Sequence, residues 1–156
     1  MEKTKISIFV MDVDGTLTDG KIHIGLLGEA HKSFCVKDGM GIKLLQRQGV
    51  ITVILTARSS MIVENRAREL AITELYQSVS DKLQIISALS KKYNVPLENI
   101  AYIGDDINDI EVMKHVGRSF CPSDSVPDVR GVADTILTKK GGDGAVREAV
   151  EIILNS

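Results

Sequence analysis

Two aspartates separated by one residue, Asp12 and Asp14, follow an apolar run from Ile6 to Met11 and precede Gly15-Thr16. If the chain stays extended there, strand alternation points both carboxylates the same way, and Gly15 then lets the backbone turn. Carboxylates ending a hydrophobic strand are costly unless a cation or hydrogen bonds offset their desolvation and mutual repulsion. A divalent cation would serve. As a bare pattern the pair is ambiguous, because aspartates also end strands as turn formers.

A second acidic cluster narrows the reading. The apolar run Ile100 to Ile103 leads into Gly104-Asp105-Asp106-Ile107-Asn108-Asp109, so two strand ends could converge on one site. Magnesium takes oxygen ligands and keeps several waters, so one or two carboxylates plus a phosphate oxygen suffice. Asp12 and Asp105 are the candidate ligands. Asp109 would assist or orient, and Asp106 is equally readable as a helix cap. Thr56, after the run Val50 to Leu55, and Lys82, near a helix start after Ser80-Asp81, supply a hydroxyl and an ammonium suited to phosphate oxygens. In-line phosphoryl transfer needs such positioning and charge neutralisation. Singly, Lys82 reads as a solvated lysine and Thr56 as a strand-end cap; their order between the two acidic clusters raises both.

The elements that must hold these groups are legible as alternation. Apolar runs of strand length recur at 6–11, 50–55, 100–103 and 118–121, separated by amphipathic stretches at 39–48, 60–70, 81–93, 109–115, 127–132 and 145–154. That pattern predicts a three-layer α/β/α, Rossmann-like core around a mostly parallel sheet. Ser60 and Ser80 read as N-caps, Gly49 and Gly117 as helix stops, and Pro127 as a first-turn residue. One section departs from it: 21–24 and 30–34 read as a β-hairpin joined by Gly25-Leu26-Leu27-Gly28-Glu29 and placed over the crevice where open α/β sheets bind ligands. Its apolar tip predicts burial against another subunit, or else a tip folded back on its own domain.

Composition bounds the rest. At 156 residues the chain is read as one domain, 1–156, with the hairpin at about 21–34. A formal charge of -2 gives no footprint for nucleic acid or anionic lipid. The 6–11 run leads straight into Asp12 and reads as a buried strand, not as a signal peptide or membrane span. Cys35 and Cys121, without CxxC or zinc spacing, predict a reduced, cytoplasmic protein. Without tryptophan, and with 4% aromatic residues, no stacking platform for rings is present, so recognition should be polar.

The order DxD, Thr, Lys, GDDxxD resembles the haloacid dehalogenase superfamily of phosphotransferases. The resemblance implies that Asp12 is phosphorylated, that Asp14 protonates the leaving oxygen and later deprotonates the attacking water, and that Asp14 also binds Mg2+ through its backbone carbonyl. Neither the Gly20–Thr56 nor the Thr56–Lys82 gap can hold a cap domain. An uncapped site serves a macromolecule or is closed by a neighbouring subunit, and the hairpin favours the second. The stretches DVDGTLTDGKI, VKDGMGIKLL, ILTARSSMIVENRARELAI, LYQSVSDKL, AYIGDDINDIEVM and GGDGAVREAVEIIL narrow the resemblance to the 3-deoxy-D-manno-octulosonate (KDO) 8-phosphate phosphatases of lipopolysaccharide precursor synthesis. That implies a homotetramer in which one subunit's hairpin helps close the next subunit's site. Asp38 and Gly39 should lie near the sugar, with Lys43, Arg58 and Arg66 as candidate contacts for its carboxylate or phosphate; arginine's planar fork suits a carboxylate. Solvated helix faces are the plain reading of Lys43 and Arg66. The glycine-dense 141–148 segment reads as a flexible connection, or through the resemblance as part of the site mouth, with Arg147. Two departures are Thr16, where the family more often has valine, and Ala57, where it usually has glycine.

Three rivals stand beside this reading. Phosphatases acting on nine-carbon sugar acid 9-phosphates (KDN or N-acetylneuraminate) carry glutamate at the position of Arg58, which favours the eight-carbon substrate here. A phospho-receiver domain would place its accepting aspartate on a later strand and lack GDDxxD after the lysine. A non-catalytic binding subunit predicts a damaged motif, and none is damaged.

Overall fold

The computed structural model describes residues 5–156. Six parallel strands form one sheet in the order β5-β4-β1-β6-β7-β8: β1 (Ile8–Met11), β4 (Ile51–Leu55), β5 (Glu74–Tyr76), β6 (Ile100–Ile103), β7 (Arg118–Cys121) and β8 (Thr135–Ile136). β1 is central, pairing in register with β4 on one side (Ile8 opposite Ile51) and β6 on the other (Ile8 opposite Ile100). Every residue of β1 is buried, as a parallel strand covered on both faces must be. Phe9 and Met11 face a core completed by Ile42 and Leu45 of α1 (Val36–Arg47), Val63 and Ala67 of α2 (Met61–Glu69) and Val146, Ala149 and Val150 of α6 (Ala145–Leu154). Ile8 and Val10 face the opposite core, with Ile86 and Leu89 of α3 (Lys82–Tyr93), Val112 and Met113 of α4 (Ile110–Met113) and Val129 of α5 (Pro127–Arg130). This is the three-layer, mostly parallel α/β architecture that the alternation predicts, and no cap domain interrupts the described residues.

Several boundaries move for local reasons. α3 is capped by Asp81, whose carboxylate accepts the Gln84 N–H at 3.1 Å, not by Ser80. α1 begins three residues earlier than the apolar pattern, at Val36, because the first turn, Val36-Lys37-Asp38-Gly39, buries an aspartate and a glycine and so carries no apolar periodic signal. The 109–115 helix is instead a 3-10 turn at Ile107–Asp109 followed by the single turn of α4. β5 and β8, three and two residues long, are too short for a periodic signal, and α5 ends at Arg130.

The hairpin forms a separate two-stranded sheet from β2 (His23–Gly25) and β3 (Gly28–His31), shorter than the 21–24 and 30–34 reading. Gly25 pairs with Gly28 across a two-residue tip, Leu26-Leu27, which is fully exposed. The tip does not fold back on its own domain, which removes that alternative.

Candidate active site

β1 sits where the sheet's winding reverses, with β4 and β6 on its two sides, and ligands of open α/β sheets bind beyond the carboxyl ends of strands at such a point. Asp12 follows β1, Thr56 follows β4 and Asp105 comes two residues after β6, so three candidate residues leave neighbouring strands at one end of the sheet. Lys82 enters from the first turn of α3.

The centre is a buried charge network. The Lys82 ammonium, 3% exposed, donates to Asp12 Oδ1 at 2.9 Å, to Asp109 Oδ1 at 2.8 Å and to the Tyr102 hydroxyl oxygen at 3.2 Å, which satisfies all three of its N–H groups. Tyr102 in turn donates to Asp109 Oδ1. Asp109 Oδ2 accepts the backbone N–H groups of Asp105, at 2.9 Å, and Asp106, at 3.2 Å. Asp109, fully buried, therefore ties the 104–109 loop to α3 and has four donors on its two oxygens. Gly104 permits this: a β-carbon there would sit 2.4 Å from Asp109 Cγ. Asp106 caps the 3-10 turn through the Ile107 N–H at 2.7 Å.

Asp105 stands on the other side of Asp12. The Thr16 Oγ1 hydroxyl is 3.5 Å from its Oδ1, a marginal hydrogen bond. Oxygens of Asp12, Asp105 and Asp109 lie within 4.8 Å of one another. Three carboxylates share one ammonium, so the cluster has an excess of negative charge. Burial, then the charge of Asp109, raise the Asp12 carboxyl above its ordinary range against the pull of Lys82, and burial and Asp12 raise Asp105. Burial pulls Lys82 down, but Asp12 and Asp109 outweigh it and hold the lysine cationic. Burial, with Asp109 and Asp12, holds Tyr102 protonated, well above the usual phenol range.

An all-oxygen donor set with surplus negative charge fits a hard divalent cation. Asp12 and Asp105 are the available side chains, because the lone pairs of Asp109 are already engaged. Gly15, at φ +86°, keeps the approach of β1 to Asp105 possible, since a β-carbon there would lie 1.9 Å from Asp105 Oδ2. No residue with a β-carbon can take that place without moving the ligand.

Asp14 lies at the rim of this network. Lys32, from just after β3, reaches Asp14 Oδ1 at 2.6 Å, and Arg58 Nε lies 3.9 Å from Oδ2. Burial draws the Lys32 ammonium down, but its hydrogen bonds to Asp14 and Glu29 more than compensate and raise it. Thr56 is 3% exposed; its backbone bridges Tyr76 O and the Val79 N–H, and its hydroxyl accepts the Arg58 N–H at 3.4 Å. The Arg58 side chain is half exposed beside Asp14.

The other predicted substrate contacts form a second group at the junction of α1, α2 and α6. Asp38 is buried in the first turn of α1, where Oδ1 accepts the Arg147 N–H at 2.8 Å and Oδ2 has no hydrogen-bond partner. Burial pushes its carboxyl up to about 6. Gly39 packs against the Arg66 guanidinium, which lies over the Phe34 ring at 5.5 Å and pairs with Glu69 at 2.9 Å. Arg147 pairs with Glu151 at 2.7 Å. Lys43 is exposed on α1, with no hydrogen bond or ion pair among the described residues. The sequence reading missed Lys32 and Tyr102. A tyrosine within a buried strand, three residues before Asp105, was a usable signal for the second; a hairpin lysine carried none.

Comparison with known proteins agrees with this geometry. The family model for haloacid dehalogenase-like hydrolases matches residues 71–149. The 3-deoxy-D-manno-octulosonate 8-phosphate phosphatase of Escherichia coli K12 is 42% identical over 149 residues, covering 96% of this chain and 79% of that protein. Among solved structures, the Moraxella catarrhalis 3-deoxy-D-manno-octulosonate 8-phosphate phosphatase, in complex with magnesium ion, phosphate ion and KDO, superposes with a TM-score of 0.94 at 42% identity. It covers 97% of this chain and 87% of that one. The cobalt-bound deoxy-D-mannose-octulosonate 8-phosphate phosphatase of Haemophilus influenzae gives a TM-score of 0.94 at 38% identity, covering 97% of this chain and 89% of that one. Sequence likeness along nearly the whole chain and a shared fold lead to one assignment: the chain belongs to the 3-deoxy-D-manno-octulosonate 8-phosphate phosphatase family of haloacid dehalogenase-like hydrolases.

Proposed function

We propose that this protein hydrolyses the phosphomonoester of 3-deoxy-D-manno-octulosonate 8-phosphate to KDO and inorganic phosphate, with Mg2+ as cofactor. The observation that carries the chemistry is the Lys82–Asp12–Asp109 network with Asp105 beside it and Asp14 at the rim. The substrate comes from the family, whose Moraxella catarrhalis member is solved with magnesium, phosphate and KDO.

In the first half-reaction an Asp12 carboxylate oxygen bonds to phosphorus as the ester P–O bond breaks, and the leaving alkoxide takes a proton from Asp14. In the second, water attacks phosphorus and gives its proton to Asp14, and the Asp12–phosphoryl bond breaks to release phosphate. Both proton and phosphoryl acceptors are thereby restored. Lys82 keeps Asp12 oriented and offsets its charge, and Thr56 offers a hydroxyl to a phosphoryl oxygen. Mg2+, held by Asp12, Asp105 and the Asp14 carbonyl, would neutralise charge on the transferring group. Arg58, half exposed beside Asp14, is the reading's contact for the substrate anion, with Asp38, Gly39, Lys43 and Arg66 as further candidates.

We read the assembly as a homotetramer in which a neighbour's Leu26-Leu27 tip helps close the uncapped site; their full exposure supports this. The protein is read as cytoplasmic, acting in lipopolysaccharide precursor synthesis. Among the described residues no helix is long and apolar enough to cross a membrane, and Cys35 and Cys121 are unpaired.

With Mg2+, kcat/KM for the eight-carbon substrate should exceed that for nine-carbon sugar acid 9-phosphates; the reverse order would reassign the substrate. Sedimentation of a fully active monomer would remove the shared site.

A further inference from the structure

Lys32 has no part in the chemistry above, yet its side chain is 1% exposed and ends between two carboxylates, Asp14 Oδ1 at 2.6 Å and Glu29 Oε1 at 2.8 Å. An ammonium removed from water is tolerated only with such compensation, so its placement is specific. Glu29 is held in turn: its Oε2 accepts the Ser60 hydroxyl at 2.5 Å. Ser60 is itself fixed as the N-cap of α2, accepting the Val63 N–H at 3.4 Å, while its own N–H donates to Gln77 Oε1 at 2.8 Å. A continuous chain of contacts therefore runs from a helix of the main sheet, through the hairpin, to Asp14.

The chain engages one oxygen of Asp14 and leaves the other open. Oδ2 makes no hydrogen bond among the described residues, and Arg58 Nε at 3.9 Å lies beyond reach of one. The terminal torsion of an aspartate is broad and nearly two-fold, so an unheld carboxylate at a turn would present either oxygen over a wide range of angles. Small angular errors are costly in proton transfer, which requires the donor within hydrogen-bond distance of the leaving oxygen.

We propose that Lys32, held by Glu29 and Ser60, is a positioning residue that clamps Oδ1 of Asp14 so that Oδ2 handles the proton. The hairpin root thus has a task within its own subunit, separate from the exposed tip. The inference rests on the reading of Asp14 as the acid/base.

The consequence is a dependence on the leaving group. An alkyl alkoxide must be protonated as it departs, whereas p-nitrophenolate leaves unaided, and kcat/KM reports only steps up to phosphorylation of Asp12. Lys32→Met should lower the ratio of kcat/KM for the sugar phosphate to that for p-nitrophenyl phosphate by about ten- to a hundredfold. Glu29→Gln should shift the same ratio in the same direction by less, and Lys32→Arg, which keeps a cation, should recover most of the loss. Equal losses on both esters, or no change in the ratio in Lys32→Met, would overturn the proposal. If Lys32→Met does not fold, the ratio in Glu29→Gln decides: a lowered ratio supports the proposal, and an unchanged ratio or equal losses on both esters overturn it. Should the wild-type protein turn over another alkyl phosphate but not the eight-carbon sugar acid, the substrate assignment fails while the ratio is still measured on that ester.

Discussion

Two networks in this molecule are built from the same parts and have opposite electrostatics. At the edge of the sheet, Glu74 of β5 accepts hydrogen bonds from the Tyr76 and Tyr93 hydroxyls and from the Lys92 ammonium. At the centre, Asp109 accepts from Tyr102 and Lys82, but Asp12 and Asp105 crowd the same few ångströms. One carboxylate with three donors is satisfied: although burial opposes it, the bonds from Lys92 and the two tyrosines hold Glu74 down at about 2. Three carboxylates sharing one ammonium are not, and Asp12 and Asp105 are raised. The first arrangement ties α3 to an edge strand. The second keeps a surplus of negative charge that a divalent cation would offset, so the same residue types tie elements together in one place and form a candidate site in the other.

Substitutions can break that contrast. The largest effect is expected from Asp12→Asn, which should lower kcat by at least about a thousandfold in a phosphate-release assay, because it removes the proposed nucleophile. Wild-type-like turnover would end the assignment. Next comes Lys82→Met, which leaves Asp12 and Asp109 without their buried cation. Breaking a buried pair costs about 3–5 kcal/mol, read by denaturant melts, along with activity. Removing Mg2+ with a chelator should abolish turnover, and its return should both restore activity and raise Tm. A site saturated a hundredfold above Kd gains about 2.7 kcal/mol. Asp105→Asn should weaken that Tm response, while Glu74→Gln should leave it unchanged.

Glu74→Gln should act on stability alone, costing about 1–2 kcal/mol at pH 7 after allowance for solvent screening, with kinetics unaltered. The Glu74 carboxyl is lower in the folded chain, at about 2 against 4.5, so its stabilisation is present above pH 4.5 and lost as pH falls toward 2. The Tm difference between wild type and variant should shrink over that window. Asp38 gives the opposite sign. Its folded value of about 6 lies above 3.8, so its favourable contribution holds below pH 3.8 and is lost as pH rises through 6. Measured against Asp38→Asn, the wild-type protein should lose Tm between pH 4 and pH 7.

The alternation of apolar runs with amphipathic stretches was enough for the layered α/β fold, because buried parallel strands cannot avoid being continuously apolar. Short elements escaped it: β5 and β8 have too few residues for a period, and the 109–115 pattern could not show that a 3-10 turn at Ile107–Asp109 leads into a single α-helical turn. The acidic pairs, Thr56 and Lys82 were legible through order along the chain. That Asp109 is engaged by four donors was not, since sequence order does not state which lone pairs are occupied.

By itself the sequence determined which residues leave the ends of which strands, because periodicity and glycine placement act locally. Only the tertiary structure decided how charges are shared: that Lys82 answers Asp12 and Asp109 at once, that Gly15 makes room for Asp105, and that a hairpin lysine reaches Asp14. Coulomb energy and desolvation depend on distances of a few ångströms between charged groups that lie 18 to 70 residues apart in the chain.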